Sequence, residues 1–212
     1  MVYYWHMDSI TYLQTTDISL AALIGYVEEK QVKSNNNNEL SDYESLVRSI
    51  IGQQISTFAA RRIFDRLLQM VHGLITPESI TSLTVESLRD IGLSRQKISY
   101  IQDMGKNLIE GSINLEDLYS MSDDEAINTL IALRGIGEWT AQMFVMSQLG
   151  REDIFPIKDA GIRSAMGKLY SLDEVTDEKL IELSANWSPQ RSLACKYLWQ
   201  ALDLGYFTSK TT

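Results

Sequence analysis

The chain has 212 residues, of which 44% are hydrophobic and 22% charged, so it can build a real core as one large domain or two small ones. Its one cysteine, Cys195, excludes an internal disulfide and a four-cysteine zinc or iron–sulfur site within one chain. A net charge of −9 excludes a uniformly basic coat for nucleic acid, but not a local grip on phosphate through backbone amides.

Helical periodicity dominates and only three prolines interrupt it, so an all-α chain is expected. Residues 3–14 carry Tyr3, Tyr4, Trp5, Ile10, Tyr12 and Leu13, and read as a short N-terminal strand or an irregular buried arm. From 17 to 30, Leu20, Leu23, Ile24 and Val27 fall at helical spacing behind Asp17. Asn35 to Asn38 form a polar loop and the expected boundary between subdomains. Ser41-Asp42-Tyr43-Glu44 is a capping-box pattern, in which serine and glutamate satisfy each other's amides, and it opens a helix through Leu46, Ile50 and Ile51. That helix breaks at 52–56 and resumes through Ala59, Ile63, Phe64, Leu67 and Leu68. Thr76-Pro77-Glu78 starts another, with proline at the first helical position. Ile91 to Lys97 is a tight helix–turn–helix junction. Ser122 to Glu125 repeats the capping box over a helix that ends at Leu133. Gly135 and Gly137 make the next turn, a helix follows from Glu138 to Leu149, and Gly150 caps it. A loop at 151–158 leads to Asp159 at the head of a further helix; more starts lie at 171–174 and 176–178. The last long helix spans Trp187 to Leu204 and breaks near Pro189.

The most informative stretch is Leu133-Arg134-Gly135-Ile136-Gly137-Glu138-Trp139-Thr140-Ala141. Glycine reaches positive φ without a clash and lets other groups approach its amides. The amides of Ile136, Gly137 and the next one or two residues would point at the start of the following helix, whose dipole attracts an anion. The same pattern also makes a plain turn between two packed helices. Asp159 has two readings as well: the N-cap of its own helix, or an acid placed beside the sugar of a gripped phosphate. Basic residues gather at Arg61, Arg62 and Arg66, at Arg95 and Lys97, and at Arg134, Arg151, Lys158 and Arg163.

Followed by Asp153-Ile154-Phe155-Pro156-Ile157-Lys158-Asp159, this stretch resembles the helix–hairpin–helix DNA glycosylases, and within them the alkylation-repair branch, DNA-3-methyladenine glycosylase II. Ile50 to Ser56, and Trp187 to Ala194 with Tyr197-Leu198-Trp199, resemble the same branch, so the likeness covers residues 41–204. It implies an all-α fold of two helical subdomains flanking a cleft, with the helix–hairpin–helix motif at the rim and a damaged base flipped into the cleft. The corresponding division is 1–40, an arm and helix packing with the C-terminal subdomain; 41–134, a central helical subdomain; and 135–212, the hairpin, catalytic loop and C-terminal helices.

The resemblance assigns roles residue by residue, each with a plainer alternative. Asp159 is the catalytic carboxylate that stabilises the oxocarbenium-like sugar as the base departs. Gly135, Ile136, Gly137 and Thr140 form the phosphate-binding hairpin. Trp139 stands where the bifunctional branches carry a Schiff-base lysine, which implies a monofunctional enzyme with water as nucleophile; it lines the base pocket or simply packs its helix. Trp199 stacks on a cationic alkylated base or is a core tryptophan. Met143 also belongs to the pocket, where relatives carry a tyrosine. Gln53, Gln54 and Ser56 share the position of the residue that plugs the duplex, or form a polar helix end. Leu93 and Ser94 wedge into the minor groove. Lys158 replaces a commonly acidic residue and binds phosphate, acts on Asp159 or faces solvent, with a Schiff-base role the disfavoured alternative. Trp187 and Arg191 are structural, holding the last helix against the hairpin. His6 and His72 have no metal-ligand spacing.

The expected activity is therefore hydrolysis of the N-glycosidic bond of alkylated purines, of 3-methyladenine type, in duplex DNA by base flipping. The competing readings are a glycosylase for an oxidised or deaminated base, a non-catalytic helix–hairpin–helix DNA-binding module, and a helical scaffold. The expected partner is double-stranded DNA holding a damaged base. No cofactor or iron–sulfur cluster is expected, although backbone carbonyls of Ile131, Leu133 and Ile136 could hold a structural Na+ or K+. No apolar run is long enough to cross a bilayer and the start lacks a signal-peptide pattern, so a cytoplasmic monomer without membrane contact is expected.

Overall fold

The computed structural model describes residues 7–30 and 40–208, and among the described residues every regular element is helical. In chain order these are α1 (Met7–Thr16), α2 (Ile18–Lys30), α3 (Asp42–Gly52), α4 (Thr57–Met70), α5 (Pro77–Thr81), α6 (Val85–Asp90), α7 (Arg95–Ile109), α8 (Asp123–Ile131), α9 (Glu138–Ser147), α10 (Ala160–Leu169), α11 (Asp177–Ala185) and α12 (Arg191–Asp203). A 3-10 turn, Leu115–Tyr119, lies between α7 and α8. The described residues divide into two compact units, one from 7–30 with 150–208 and the other from 40–149.

In the first unit α12 packs against both α2 and α10, and α1 packs against α2. Helix α2 buries Leu20, Leu23, Ile24 and Val27, the i, i+3, i+4, i+7 stripe of an amphipathic helix. Each such side chain contributes about 1.5–3 kcal/mol when fully buried. From residue 7 onward the expected N-terminal strand or arm is not what forms: residues 7–16 are helical. Leu13 is fully buried, Thr15 and Thr16 donate to the carbonyl of Tyr12, and the Tyr12 hydroxyl donates to the Ser188 carbonyl. Tyr3, Tyr4, Trp5 and His6, like the asparagine run at 35–38, lie outside the described residues.

Asp17 organises this unit. Its Oδ1 accepts from the amides of Ser19 and Leu20, both at 3.0 Å, which caps α2. Its Oδ2 accepts from Trp187 Nε1 at 2.9 Å and from the Tyr170 hydroxyl. Burial and that carboxylate together push the Tyr170 phenol above its ordinary range. Trp187 is fully buried in the turn after α11, and α12 begins only at Arg191, beyond the cis Ser188–Pro189 bond.

The second unit is built on α7, which packs against α3, α5 and α6, with α3 also against α4 and α9. Ser41 accepts from the Glu44 amide at 3.2 Å. At Ser122 and Glu125 both halves of the box form, and at Thr76 the reciprocal partner is Ser79. The hairpin's second helix, α9, packs on α8 and buries Ala141, Phe144, Val145 and Met146. Gln148 adds a bond from Nε2 to the carbonyl of Leu40 at 3.1 Å. The boundary between units consequently falls after residue 149 rather than before 135.

Candidate active site

Two helix starts carry the residues that the sequence singles out. At the first, Gly135 has φ +87°, and a Cβ placed on it would lie 2.2 Å from Tyr100 Cδ2. Only glycine satisfies both constraints. The Arg134 guanidinium lies 5.7 Å from the centre of the same Tyr100 ring and pairs with Asp103. The Ile136 amide donates to the Leu133 carbonyl at 3.1 Å and its side chain is buried. That amide closes the turn and is not held out for phosphate, contrary to the sequence reading. Thr140 is buried as well, on the side of α9 that carries Ala141 and Phe144 inward, so its hydroxyl is not displayed at the helix start. Gly137 is the N-cap of α9; no side chain caps this helix, and nothing lies within 4 Å of a Cβ placed there. The first-turn amides of a helix have no intrahelical acceptor, so this end offers donors and the positive end of the dipole to an anion.

The five residues expected at a plug or wedge separate clearly. Gln53 is committed: its Nε2 donates to the Gly135 carbonyl at 2.8 Å. Leu93 is 4% exposed and belongs to the core, so it cannot wedge into a groove. Its burial follows from the turn geometry, in which its amide donates back to Leu88 and Gly92 takes φ +110°. Ser56 and Ser94 are exposed N-caps, accepting from Ala59 and Lys97 respectively. Gln54 is exposed and holds φ +58°, a left-handed conformation that projects the turn between α3 and α4.

At the second helix start, Asp159 is the N-cap of α10 and only 9% exposed. The Asp159 amide donates to the Pro156 carbonyl at 2.9 Å, which shapes the loop leading into the helix. Its Oδ1 accepts from the Ile162 amide at 2.8 Å and from Trp199 Nε1 at 3.0 Å. Two N–H donors thus fix the carboxylate rotamer, one from its own helix and one from α12. Gly161 leaves room for this arrangement: a Cβ there would meet Asp159 Oδ1 at 3.1 Å and Trp199 Cδ1 at 3.3 Å. Sequence reasoning passed over Gly161, although a glycine two residues after a buried acid is the signal for such a close approach. The buried Cys195 thiol is pushed up by burial first and by the charge of Asp159 second.

Trp139, in the first turn of α9, is 49% exposed, and Met143 is half-buried one turn on. Trp199 is half-buried, with its indole nitrogen on Asp159. Lys158 pairs with Asp177, which also takes Arg163 at 2.6 Å. Arg191 grips Asp153 through Nε at 2.8 Å and Nη2 at 2.9 Å, and Trp187 holds Asp17; both tie the first unit together internally. Among the described residues no group of three or more His, Cys, Asp or Glu side chains could hold a metal ion. A cation at the hairpin would have to use carbonyls; that of Leu133 already accepts from Ile136 and keeps a second lone pair.

The HhH-GPD superfamily of base excision DNA repair proteins matches residues 47–190, and the chain belongs to this family. A putative DNA-3-methyladenine glycosylase of Bacillus subtilis is 31% identical over 173 residues, which span 78% of this chain and 60% of that protein. The crystal structure of a DNA-3-methyladenine glycosidase from Bacillus halodurans matches with a TM-score of 0.79 at 32% identity, covering 95% of this chain and 91% of that one. The 3-methyladenine DNA glycosylase Mag1 of Schizosaccharomyces pombe, in complex with abasic DNA, matches with a TM-score of 0.81 at 29% identity, covering 93% of this chain and 97% of that one.

Proposed function

We propose that the protein is a monofunctional DNA glycosylase that hydrolyses the N-glycosidic bond of alkylated purines, of the 3-methyladenine type, in duplex DNA during base excision repair. The observation that carries this reading is the carboxylate of Asp159, buried at the head of α10 and fixed by the Ile162 amide and Trp199 Nε1. The likeness to proteins named 3-methyladenine glycosylases, one of them bound to abasic DNA, selects the bond and the substrate class.

As the bond from the sugar to the base breaks, positive charge builds on the sugar. The pre-oriented Asp159 stabilises that charge without having to reorganise. Water then adds to the anomeric carbon, Asp159 takes its proton, and the products are a free base and an abasic site. Trp139 occupies the place of the Schiff-base lysine, and the Lys158 ammonium is held by Asp177, so water is the nucleophile. The uncapped start of α9 takes a backbone phosphate through the amides that follow Gly137. Trp199, whose indole nitrogen lies on Asp159, is assigned to the base, and a cationic base gains from cation–π contact with an indole; Trp139 and Met143 are assigned to the base by the family resemblance alone. Gln54, at the tip of the exposed turn, fills the duplex where the base has left, with Ser56 beside it. The protein acts as a monomer on double-stranded DNA.

The test is direct. Purified protein incubated with methylated duplex DNA should release 3-methyladenine, identified by mass, and leave abasic sites. Binding of the same DNA without release of any base would favour the binding-module reading.

A further inference from the structure

The turn from Gln53 to Ser56 and the glycine hairpin are 82 residues apart in sequence at their point of contact, yet a continuous set of hydrogen bonds joins them. Lys97, on the first turn of α7, donates from Nζ to the carbonyl of Ile51 at 2.7 Å and to that of Gln53 at 2.6 Å. These carbonyls belong to the C-terminal end of α3, where four acceptors lack intrahelical partners and the dipole is negative. The Gln53 side chain continues the chain of bonds to the Gly135 carbonyl. Tyr100, one turn along α7 from Lys97, packs its ring against Gly135 so closely that no Cβ fits between them. Helix α7 therefore fixes both the turn that presents Gln54 and the hairpin that precedes the α9 start. Gln53, Lys97, Tyr100 and Gly135 line one polar cavity of about 340 Å³, whose wall also includes Gln54, Ser94 and Gly137.

We infer that Lys97 is a positioning residue for base flipping: it locks the Gln54 turn to the phosphate hairpin, so that gripping the strand and filling the duplex occur at one fixed spacing. The inference rests on the proposed glycosylase function. Lys97 touches neither the reacting sugar nor the base in this scheme. Without its ammonium the carbonyls of Ile51 and Gln53 lose their donor, Gln54 loses its fixed station, and the flipped state loses stability relative to the stacked one. The bond-breaking step, once the base is out, is left intact.

This gives the variant a substrate dependence that a general loss of structure would not show. Flipping costs least when the target base is already unpaired. Lys97→Met should lower excision of an alkylated base from a fully paired duplex about tenfold or more, since hydrogen bonds to a charged group are lost. The deficit should shrink at least several-fold when the same lesion stands opposite an abasic site. Lys97→Arg, which keeps charge and donors, should recover most of the paired-duplex rate. Gln53→Leu, which cuts only the tie to Gly135, should show the same substrate dependence and serves where Lys97→Met folds poorly. Equal losses on both substrates, or no loss on either, would overturn the positioning role. Wild-type protein that releases no base from either substrate would remove the glycosylase reading, and the inference with it.

Discussion

Helices α9 and α10 begin in opposite ways. Helix α9 starts at Gly137, which has no side chain to accept from the first-turn amides, and no other side chain caps it. Helix α10 starts at Asp159, whose own oxygen accepts from the Ile162 amide at 2.8 Å. Both ends carry orphaned donors and the positive pole of a dipole. At α9 that potential remains available to an outside anion; at α10 it is used to fix a buried carboxylate. In the proposed function the same backbone feature attracts a phosphate at α9, whereas at α10 it pre-orients an acid. The supports differ too. The α9 start leans on a tyrosine ring through a glycine with positive φ, whereas the α10 start leans on an indole through Gly161.

Four changes would break or sharpen this contrast. The largest effect is expected from Asp159→Asn. Asparagine caps a helix about as well as aspartate, so the melting temperature should hardly move, while base release should fall at least about 100-fold. Undiminished release would reduce Asp159 to a cap. Next comes Gly135→Ala, which forces an L-residue into φ +87° and against Tyr100. It should cost roughly 2–4 kcal/mol in denaturant unfolding, and an unchanged midpoint would contradict the close ring contact. Gly137→Asp would make the α9 start resemble that of α10. The side chain meets open space, so the fold should gain a few tenths of a kcal/mol. Affinity for abasic-site DNA should fall several-fold at low salt, less so as salt screens the new charge.

The smallest effect concerns Asp153. Burial works to raise its pKa, but hydrogen bonds from Arg191 and Ser188 outweigh it and hold the carboxyl below its ordinary value of 3.8. A depressed folded-state pKa contributes stability that is present above the unfolded value and lost as pH falls through the folded one. Acid titration of unfolding should show this loss beginning below about pH 4, and Asp153→Asn should flatten that limb of the curve. An unaltered acid limb would show that the Arg191 pair contributes nothing.

What the sequence by itself determined is local. The Ser122–Glu125 box, the N-caps at Ser41 and Asp159, the α2 stripe and the glycine turn all depend on neighbours within four residues, whose chemistry is written beside them. The family motif around Gly135 to Ala141 was equally readable, because it is contiguous. Tertiary structure decided which of these groups stay available. Leu93 looked like a wedge until the turn from Leu88 buried it, and Gln53 looked like a plug until Gly135 claimed its amide. The Ile136 amide closes its own turn, and Thr140 faces the core. Helix packing also moved the unit boundary from 135 to 150, since α9 had to bury its apolar face against α8 and α3. The physical reason is the range of the interaction: a cap is satisfied within one turn of helix, whereas Lys97 meets Gln53, and Trp199 meets Asp159, only after about 40 residues of intervening chain have packed.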